Sequence, residues 1–358
     1  MKMAPIIEAL NRFPEHFQHT LVHTGQHYDE RMSKTFFDDL GIPRPDIDLE
    51  IGSGGHAEQT ARIMLAFEPV CLRERPDLVI VVGDVNSTLA CALTAKKLGI
   101  AVAHVEAGLR SRDMTMPEEI NRLCTDTLAD LLFTTDRLAD ENLRMEGIPA
   151  ERVHFVGNVM IDTLERHRTA AAALSLTHEL GLTPRGFAIL TLHRPSNVDD
   201  RETLAGILEG LWEISQELPV VFPVHPRTRA RIETFGLGGF IVSPGDHAAG
   251  ILGMESLGYL TFLHLAMNAR LVLTDSGGLQ EESTVLGVPC LTLRPNTERP
   301  ITCTEGTNRV IGSDPARILG AAREVLAADM PAGHMPERWD GKAAERIVKI
   351  LTRRHSNV

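Results

Sequence analysis

The sequence predicts an α/β protein built on parallel sheets and divided into two domains. Short apolar runs of strand length alternate with helical periods along the chain, and a second set of such runs begins after a stretch punctuated by Pro and Gly. The polar residues with chemical potential sit just past the ends of the apolar runs, where open α/β sheets bind ligands. A chain of 358 residues is long for one core and comfortable for two.

The chain opens with helical spacing over Met3-Ala4-Pro5-Ile6-Ile7-Glu8-Ala9-Leu10 and no strand before it. A doubly wound domain normally enters its first helix from a central strand. His19 to His23 reads as a strand, followed by the polar turn Thr24-Gly25-Gln26-His27. Leu78 to Val82 is a near-continuous buried strand ended by Gly83-Asp84, and Ala101 to Val105 another, ended by Glu106-Ala107-Gly108. Leu131 to Thr134 and Val153 to Gly157 follow. An Ala-rich helical stretch from about Ile161 to Leu180 and the run Gly181-Leu182-Thr183-Pro184-Arg185-Gly186 separate the two halves. The second set comprises Ala188 to Leu192, Val220 to Val224, Leu271 to Thr274 and Cys290 to Leu293. The expected division is a first domain over residues 1–165 and a second over 166–340, with a final helix in 341–358 crossing back onto the first.

Composition narrows the function. The formal charge of −12 argues against a nucleic-acid binder, whose affinity rests on Lys and Arg. The five cysteines form no C-x-x-C pair and no zinc spacing. Cys71, Cys91, Cys124 and Cys290 lie in apolar surroundings and read as reduced core residues, whereas Cys303 sits in a polar loop. No apolar run reaches transmembrane length and no signal-peptide pattern opens the chain, so a cytoplasmic location is expected. The fifteen histidines show no metal-ligand spacing.

The most informative stretch is 271–287. An apolar strand runs into Asp275-Ser276-Gly277-Gly278, and a helix with Gln280, Glu281 and Glu282 in its first turn is expected next. Free N–H groups and the helix dipole at such a turn suit a phosphate, the glycines admit it, and a carboxylate one turn on suits ribose hydroxyls. In the first half, acids sit at three turns: Asp84, Glu106, and Glu118 with Glu119 and Arg122. Acids at neighbouring strand tips can raise one another's pKa and serve as general acid or base. The plainer alternatives stay open: Asp84 as a helix cap, and Glu118 as a dipole partner paired with Arg122. His193-Arg194 and His225-Pro226-Arg227 each end a buried strand with a His–Arg combination suited to a pyrophosphate, or are packing residues. The loop Arg294 to Pro300 adds two arginines, or is simply solvated.

Six motifs together resemble one family: Gly-Asp-Val-Asn-Ser-Thr at 83–88, His-Val-Glu-Ala-Gly-Leu-Arg at 104–110, Pro-Glu-Glu-Ile-Asn-Arg at 117–122, Leu-His-Arg-Pro-Ser-Asn at 192–197, Thr-Asp-Ser-Gly-Gly-Leu-Gln-Glu-Glu at 274–282 and Thr-Glu-Arg-Pro at 297–300. The chain closely resembles the non-hydrolysing UDP-N-acetylglucosamine 2-epimerases from Lys2 to the C-terminal helix. The resemblance implies a GT-B-like fold, with two Rossmann-like domains whose parallel sheets face a central cleft, usually as a homodimer. It implies interconversion of UDP-GlcNAc and UDP-ManNAc through elimination of UDP to 2-acetamidoglucal and re-addition, with neither metal nor nicotinamide. By that resemblance Asp84, Glu106 and Glu118 are the acid/base candidates, and Arg122, His193 and Lys2 face the phosphates or reacting sugar. Ser276, Gly277 and Gly278 hold the diphosphate, Glu282 the ribose, Arg299 reaches the phosphates and Phe262 lines the nucleotide pocket. Gln26, His27, Gln59, Arg194 and His225 match positions that in bacterial members bind a second, activating UDP-GlcNAc, although Glu58 stands where some members have Arg.

Three departures bear on these expectations. Family chains open with a strand and a Gly-Thr-Arg-Pro-Glu turn, whereas this one starts at Met1-Lys2-Met3-Ala4-Pro5, so poor folding and little turnover are expected of it as written. Pro195-Ser196 replaces Arg-Glu, and the loop between Arg110 and Pro117 is short. Both keep open an epimerase of a UDP-diacetamido-uronic acid. A hydrolysing relative, a glycosyltransferase on the same architecture and a non-catalytic nucleotide-sugar sensor are the other readings.

Overall fold

A computed structural model of the chain describes residues 1–26, 40–243, 250–328 and 333–355. It divides into two compact units, Met1–Thr163 with Glu337–Val358, and Leu164–Pro336.

The first unit begins with α1 (Met3–Asn11), a short parallel pair of β1 (Val22–His23) and β2 (Ile47–Asp48), and α2 (His56–Glu74). Of the strand expected over His19 to His23, Val22 and His23 pair with Ile47 and Asp48. Then come β3 (Leu78–Val82), α3 (Asn86–Lys97), β4 (Ala101–Ala107), α4 (Pro117–Leu128), β5 (Leu131–Thr134), α5 (Arg137–Met145), β6 (Val153–Phe155) and α6 (Val159–Ala172). The strands form a parallel sheet in the order β3-β4-β5-β6. Side chains alternate across it, as a pleated backbone requires. Val79, Val81, Val102 and Leu132 pack with Ile63, Phe67 and Leu143 on one face. Ala103, Val105, Leu131 and Phe133 pack with Ile6 and Leu10 of α1 on the other.

Cys71, Cys91 and Cys290 are buried as expected, but Cys124 is exposed. On α4 the buried face is Glu119, Asn121, Arg122, Thr125 and Asp126, and the helical period turns Cys124 away from it.

In the second unit, α6 stops at Ala172 rather than running to Leu180, and a separate turn, α7 (Leu176–Glu179), follows. The break lets Leu176 and Leu180 pack against the core around Ile189 and Val272. Next are β7 (Ala188–Thr191), α8 (Pro195–Val198), α9 (Arg201–Ser215), β8 (Val220–Pro223), α10 (Pro226–Thr234), β9 (Ile241–Val242), β10 (Ile251–Met254), α11 (Tyr259–Asn268) and β11 (Leu271–Thr274). The unit closes with α12 (Gly277–Leu286), β12 (Cys290–Thr292), α13 (Ile301–Thr304), β13 (Asn308–Val310) and α14 (Pro315–Ala327). Its seven strands are all parallel, in the order β13-β12-β11-β7-β8-β10-β9. The chain builds outward from β7 through β8, then crosses to β11 on the other side. The switch point therefore lies between β7 and β11, whose carboxyl ends open into His193 and Asp275.

The last helix, α15 (Ala343–His355), belongs to the first unit. Asp162 caps it, accepting the N–H groups of Ala343 at 3.0 Å and Ala344 at 2.7 Å. Trp339, 1% exposed, donates its indole N–H to the Thr135 carbonyl at 3.0 Å. Gly157 has φ of 92°, and a Cβ there would lie 2.1 Å from the Arg338 carbonyl oxygen. Gly157→Ala is therefore expected to destabilise the first unit by more than about 2 kcal/mol, through both left-handed strain and displacement of the returning chain. Urea denaturation measures it, and a cost under about 1 kcal/mol would contradict that packing.

Candidate active site

In the first unit, the carboxyl ends of β3 and β4 carry Gly83-Asp84 and Glu106. Lys2, which precedes α1, forms an ion pair with Glu106, whose side chain is 3% exposed. Gly83 makes that contact possible: with φ of 74°, its absent side chain would lie 3.2 Å from Lys2 Nζ and 3.6 Å from Glu106 Oε2. Glu106 itself has φ of 72°, at an irregularity in the β4–β5 register. A non-glycine residue held there is a strained position of the kind that clusters at functional sites.

Beneath this turn lies a buried ionic network. His104 donates from Nε2 to the Gly83 carbonyl at 2.8 Å and from Nδ1 to Asp126 at 2.6 Å. A carbonyl and a carboxylate both only accept, so both ring nitrogens carry hydrogen. Burial pushes the His104 pKa down, but the charge and hydrogen bond of Asp126 outweigh it and the net shift is upward. Burial likewise pushes Asp126 up, and His104 and Arg110 bring it below the ordinary range. Asp126 also receives Arg110 at 2.7 Å and the Gly108 N–H at 3.0 Å.

Asp84 does not cap α3. That helix starts after Val85, and Gln26 Oε1 accepts the Ser87 N–H at 2.9 Å. The Asp84 carboxylate instead meets Arg122, and its carbonyl accepts from Asn121 at 2.9 Å. Arg122, 1% exposed, also donates to Glu119 at 2.6 Å. Glu119 accepts in addition from the N–H groups of Ser111 and Arg112, both at 2.9 Å. Glu118, half-buried, lies in the first turn of the same helix. Asp84 and Glu106 thus each meet a cation. Gln59 joins the first-unit cluster, donating to Gly52 at 2.9 Å and to the Gln26 carbonyl at 3.3 Å. His27 falls outside the described residues.

In the second unit, Thr191 and Thr274 share a hydroxyl hydrogen bond of 2.5 Å across the switch point. Asp275, fully buried, accepts the N–H groups of His193 and Arg194, both at 2.9 Å, and pairs with His193 Nδ1 at 2.9 Å. Burial pushes the Asp275 pKa up, and the His193 ring and these N–H groups bring it below the ordinary range. His225 starts α10, its Nδ1 accepting the Arg227 N–H at 3.2 Å, and its ring lies 5.9 Å from that of His193.

Helix α12 begins at Gly277, so Glu281 and Glu282 stand beyond its first turn rather than within it. No side chain caps its Ser276 end. The Arg299 guanidinium packs over Gly277, where a Cβ would lie 2.5 Å from Nη1. Arg299 is buried and held by Glu281 at 2.7 Å and Glu298 at 2.5 Å, while Glu298 also receives Arg294 at 2.9 Å. Glu282 accepts the Tyr259 hydroxyl at 2.9 Å. Phe262, one turn along α11, is partly buried against the Ile189–Val272 core, and Gly278 is half-buried.

Lys2, Asp84, Glu106, Glu118, Arg122, Gln26 and Gln59 belong to the first unit; His193, Arg194, His225, Phe262, Ser276, Gly277, Gly278, Glu282 and Arg299 belong to the second. The sequence reading assigned no role to His104, Asp126 or Tyr259, and it paired Arg122 with Glu118 where the structure pairs it with Glu119. The signal for His104 was a polar residue inside the apolar run of β4, and for Glu119 its i,i+3 spacing to Arg122. Among the described residues no group of three or more His, Cys, Asp or Glu side chains is arranged to hold a metal ion.

Both units are α/β, with parallel sheets that carry polar and charged side chains at the carboxyl ends of their strands. The sequence model of the UDP-N-acetylglucosamine 2-epimerase family matches residues 8–352. A UDP-N-acetylglucosamine 2-epimerase of Methanocaldococcus jannaschii is 42% identical over 362 residues, spanning 98% of this chain and 95% of that protein. A UDP-2,3-diacetamido-2,3-dideoxy-D-glucuronate 2-epimerase of Pseudomonas aeruginosa is 42% identical over 338 residues, spanning 93% of this chain and 91% of that one. The crystal structure of the Methanocaldococcus jannaschii enzyme with UDP-GlcNAc and UDP superposes with a TM-score of 0.90 at 43% identity, covering 98% of this chain and 96% of that one. The chain belongs to the UDP-N-acetylglucosamine 2-epimerase family, and its fold is GT-B-like.

Burial, more than the adjacent Glu281, pushes the Glu282 pKa up from 4.5 to about 7, against the Tyr259 hydrogen bond. Below about pH 4.5 folded and unfolded chains both hold this proton. Between there and about 7 the unfolded chain releases it and the folded chain keeps it, so stability falls as pH rises. The contribution is on the order of 3 kcal/mol. Glu282→Gln is expected to remove that slope, as read by denaturation at a series of pH values; an unchanged slope would exclude Glu282 as its source.

Proposed function

We propose that the protein is a UDP-N-acetylglucosamine 2-epimerase, an isomerase interconverting UDP-GlcNAc and UDP-ManNAc. The observation that carries the reading is the near-full-length likeness to an enzyme solved with UDP-GlcNAc and UDP. The strand-end carboxylates with cations beside them fit the chemistry.

The C2 proton of the sugar is weakly acidic, so its removal is coupled to departure of UDP. A carboxylate takes the proton, the C1–O bond breaks with its electron pair leaving on the diphosphate, and a C1=C2 double bond forms. Return of a proton to the other face of C2 and attack of the diphosphate oxygen on C1 complete the inversion. Asp84, Glu106 and Glu118 supply the base and acid. Lys2, Arg122 and His193 offset the charge that develops, and the uncapped Ser276-Gly277-Gly278 end of α12 receives the diphosphate. Arg299 reaches the phosphates, Glu282 takes the ribose hydroxyls and Phe262 lines the nucleotide pocket. Gln26, His27, Gln59, Arg194 and His225 bind a second UDP-GlcNAc as activator. The working form is a cytoplasmic homodimer that supplies polysaccharide synthesis. No helix of the described residues is long and apolar enough to cross a membrane.

Incubation with UDP-GlcNAc in D₂O is expected to give UDP-ManNAc carrying deuterium at C2, in an assay that accumulates product however slow the chain. Glu106→Gln and Asp84→Asn are each expected to lower kcat by roughly 10²–10⁴-fold. Binding of UDP with no deuterium uptake would replace the epimerase with a sensor, and UDP plus free sugar would indicate a hydrolysing enzyme. The second reading, a UDP-diacetamido-uronate epimerase, is favoured by the equal identity of the Pseudomonas relative and by Pro195-Ser196. The larger kcat/KM between the two sugars decides it.

A further inference from the structure

His193 leaves the sheet at the switch point with its side chain 38% exposed, while its partner Asp275 is fully buried. The two oxygens of Asp275 are differently engaged. Oδ2 accepts the backbone N–H of His193 and of Arg194, both at 2.9 Å, and the side-chain amide of Asn197 at 3.3 Å. Oδ1 faces His193 Nδ1 at 2.9 Å, with the His193 N–H at 3.2 Å. Asn197 is itself fixed by donating to the Leu293 carbonyl at 2.8 Å. An ionised carboxylate only accepts, so Nδ1 must carry the hydrogen. Nε2 then has no hydrogen-bond partner among the described residues and is the ring's outward nitrogen.

We infer that Asp275 is a positioning residue for the reaction: it fixes the Nδ1–H tautomer of His193 and aims Nε2 outward, so that this nitrogen can take up a proton and present it to a diphosphate oxygen. The inference deepens the proposed function and rests on its reading of His193 as facing the diphosphate or reacting sugar. Holding both ring and backbone by one carboxylate matters because a proton-transfer group must keep its orientation through departure and return of UDP. The same buried group also holds the backbone on which His193 stands, so ring and main chain cannot move independently.

Asparagine at this position discriminates the idea. The two backbone N–H groups require an acceptor at the Oδ2 site, so the amide oxygen stays there and the NH₂ group faces Nδ1. Nδ1 must then accept, and the histidine hydrogen moves to Nε2. Nitrogen chemical shifts of ¹⁵N-histidine-labelled protein, with the His193 signals assigned by their loss in His193→Ala, read the tautomer directly. In the wild-type chain the neutral form of His193 is expected to carry its hydrogen on Nδ1; hydrogen on Nε2 in that form overturns the inference, whether or not the variant folds. Asp275→Asn is expected to invert the tautomer and lower kcat by about 10²-fold or more, with UDP affinity and Tm little changed. Wild-type kcat with an inverted tautomer, in a protein that His193→Ala inactivates, overturns the role of Asp275 and leaves His193 in place. Wild-type kcat in His193→Ala itself removes His193 from the reaction and, with it, the function assigned to Asp275.

Discussion

A carboxylate buried where a parallel strand ends is tolerable only when donors surround it, and that requirement organises both units. Asp275 gathers two backbone N–H groups, an amide and an imidazole at the end of β11. Asp126 gathers His104, Arg110 and the Gly108 N–H beneath the end of β4. Glu119 gathers Arg122 and the N–H groups of Ser111 and Arg112. The first two charges fix the backbone of the turns that carry His193 and Glu106, and the third ties the Ser111–Arg112 loop to the Arg122 side chain of α4. Removing one partner would leave the other buried and uncompensated, so electrostatics ties these segments together.

Those ties support the left-handed backbone of Glu106. A glutamate would not adopt it unless neighbours over-determined it. Gly83 does so from one side, its N–H bonded to the Val105 carbonyl at 3.0 Å and its carbonyl to His104. Lys2 does so from the other, through its ion pair with the Glu106 side chain. The glycine serves its own left-handed turn, with φ of 74°, and also leaves room beside that pair.

The fold class was legible because the strands are buried on both faces and so appear as continuous apolar runs: Leu78 to Val82, Leu131 to Thr134 and Leu271 to Thr274 were read with their observed limits. The two-residue strands Ile47–Asp48 and Ile241–Val242 carry too little pattern to be seen. Family membership was legible from the six motifs, since several of them occur in one chain in the same order. What one sequence could not disclose was pairing. Glu118 and Glu119 are adjacent acids on one helix, and only helical phase decides that Glu119 is the buried clamp on Arg122. His104 was absorbed into the apolar run of β4, because its partner Asp126 lies 22 residues further along the chain, on α4. Glu282 was read one turn too early because glycine is a weak marker of where a helix starts, and α12 begins on two of them.

The first unit is assembled from both ends of the chain. Trp339, Asp162 and Gly157 dock a segment that is translated after the second unit onto a sheet that is translated before it. During synthesis on the ribosome, the intervening second unit is complete before the α1 face of the first sheet receives its final cover. Until then the apolar surface formed by Val105, Phe133 and Val156 lacks Ile347 and Val348, and exposed apolar surface of this kind is prone to aggregation.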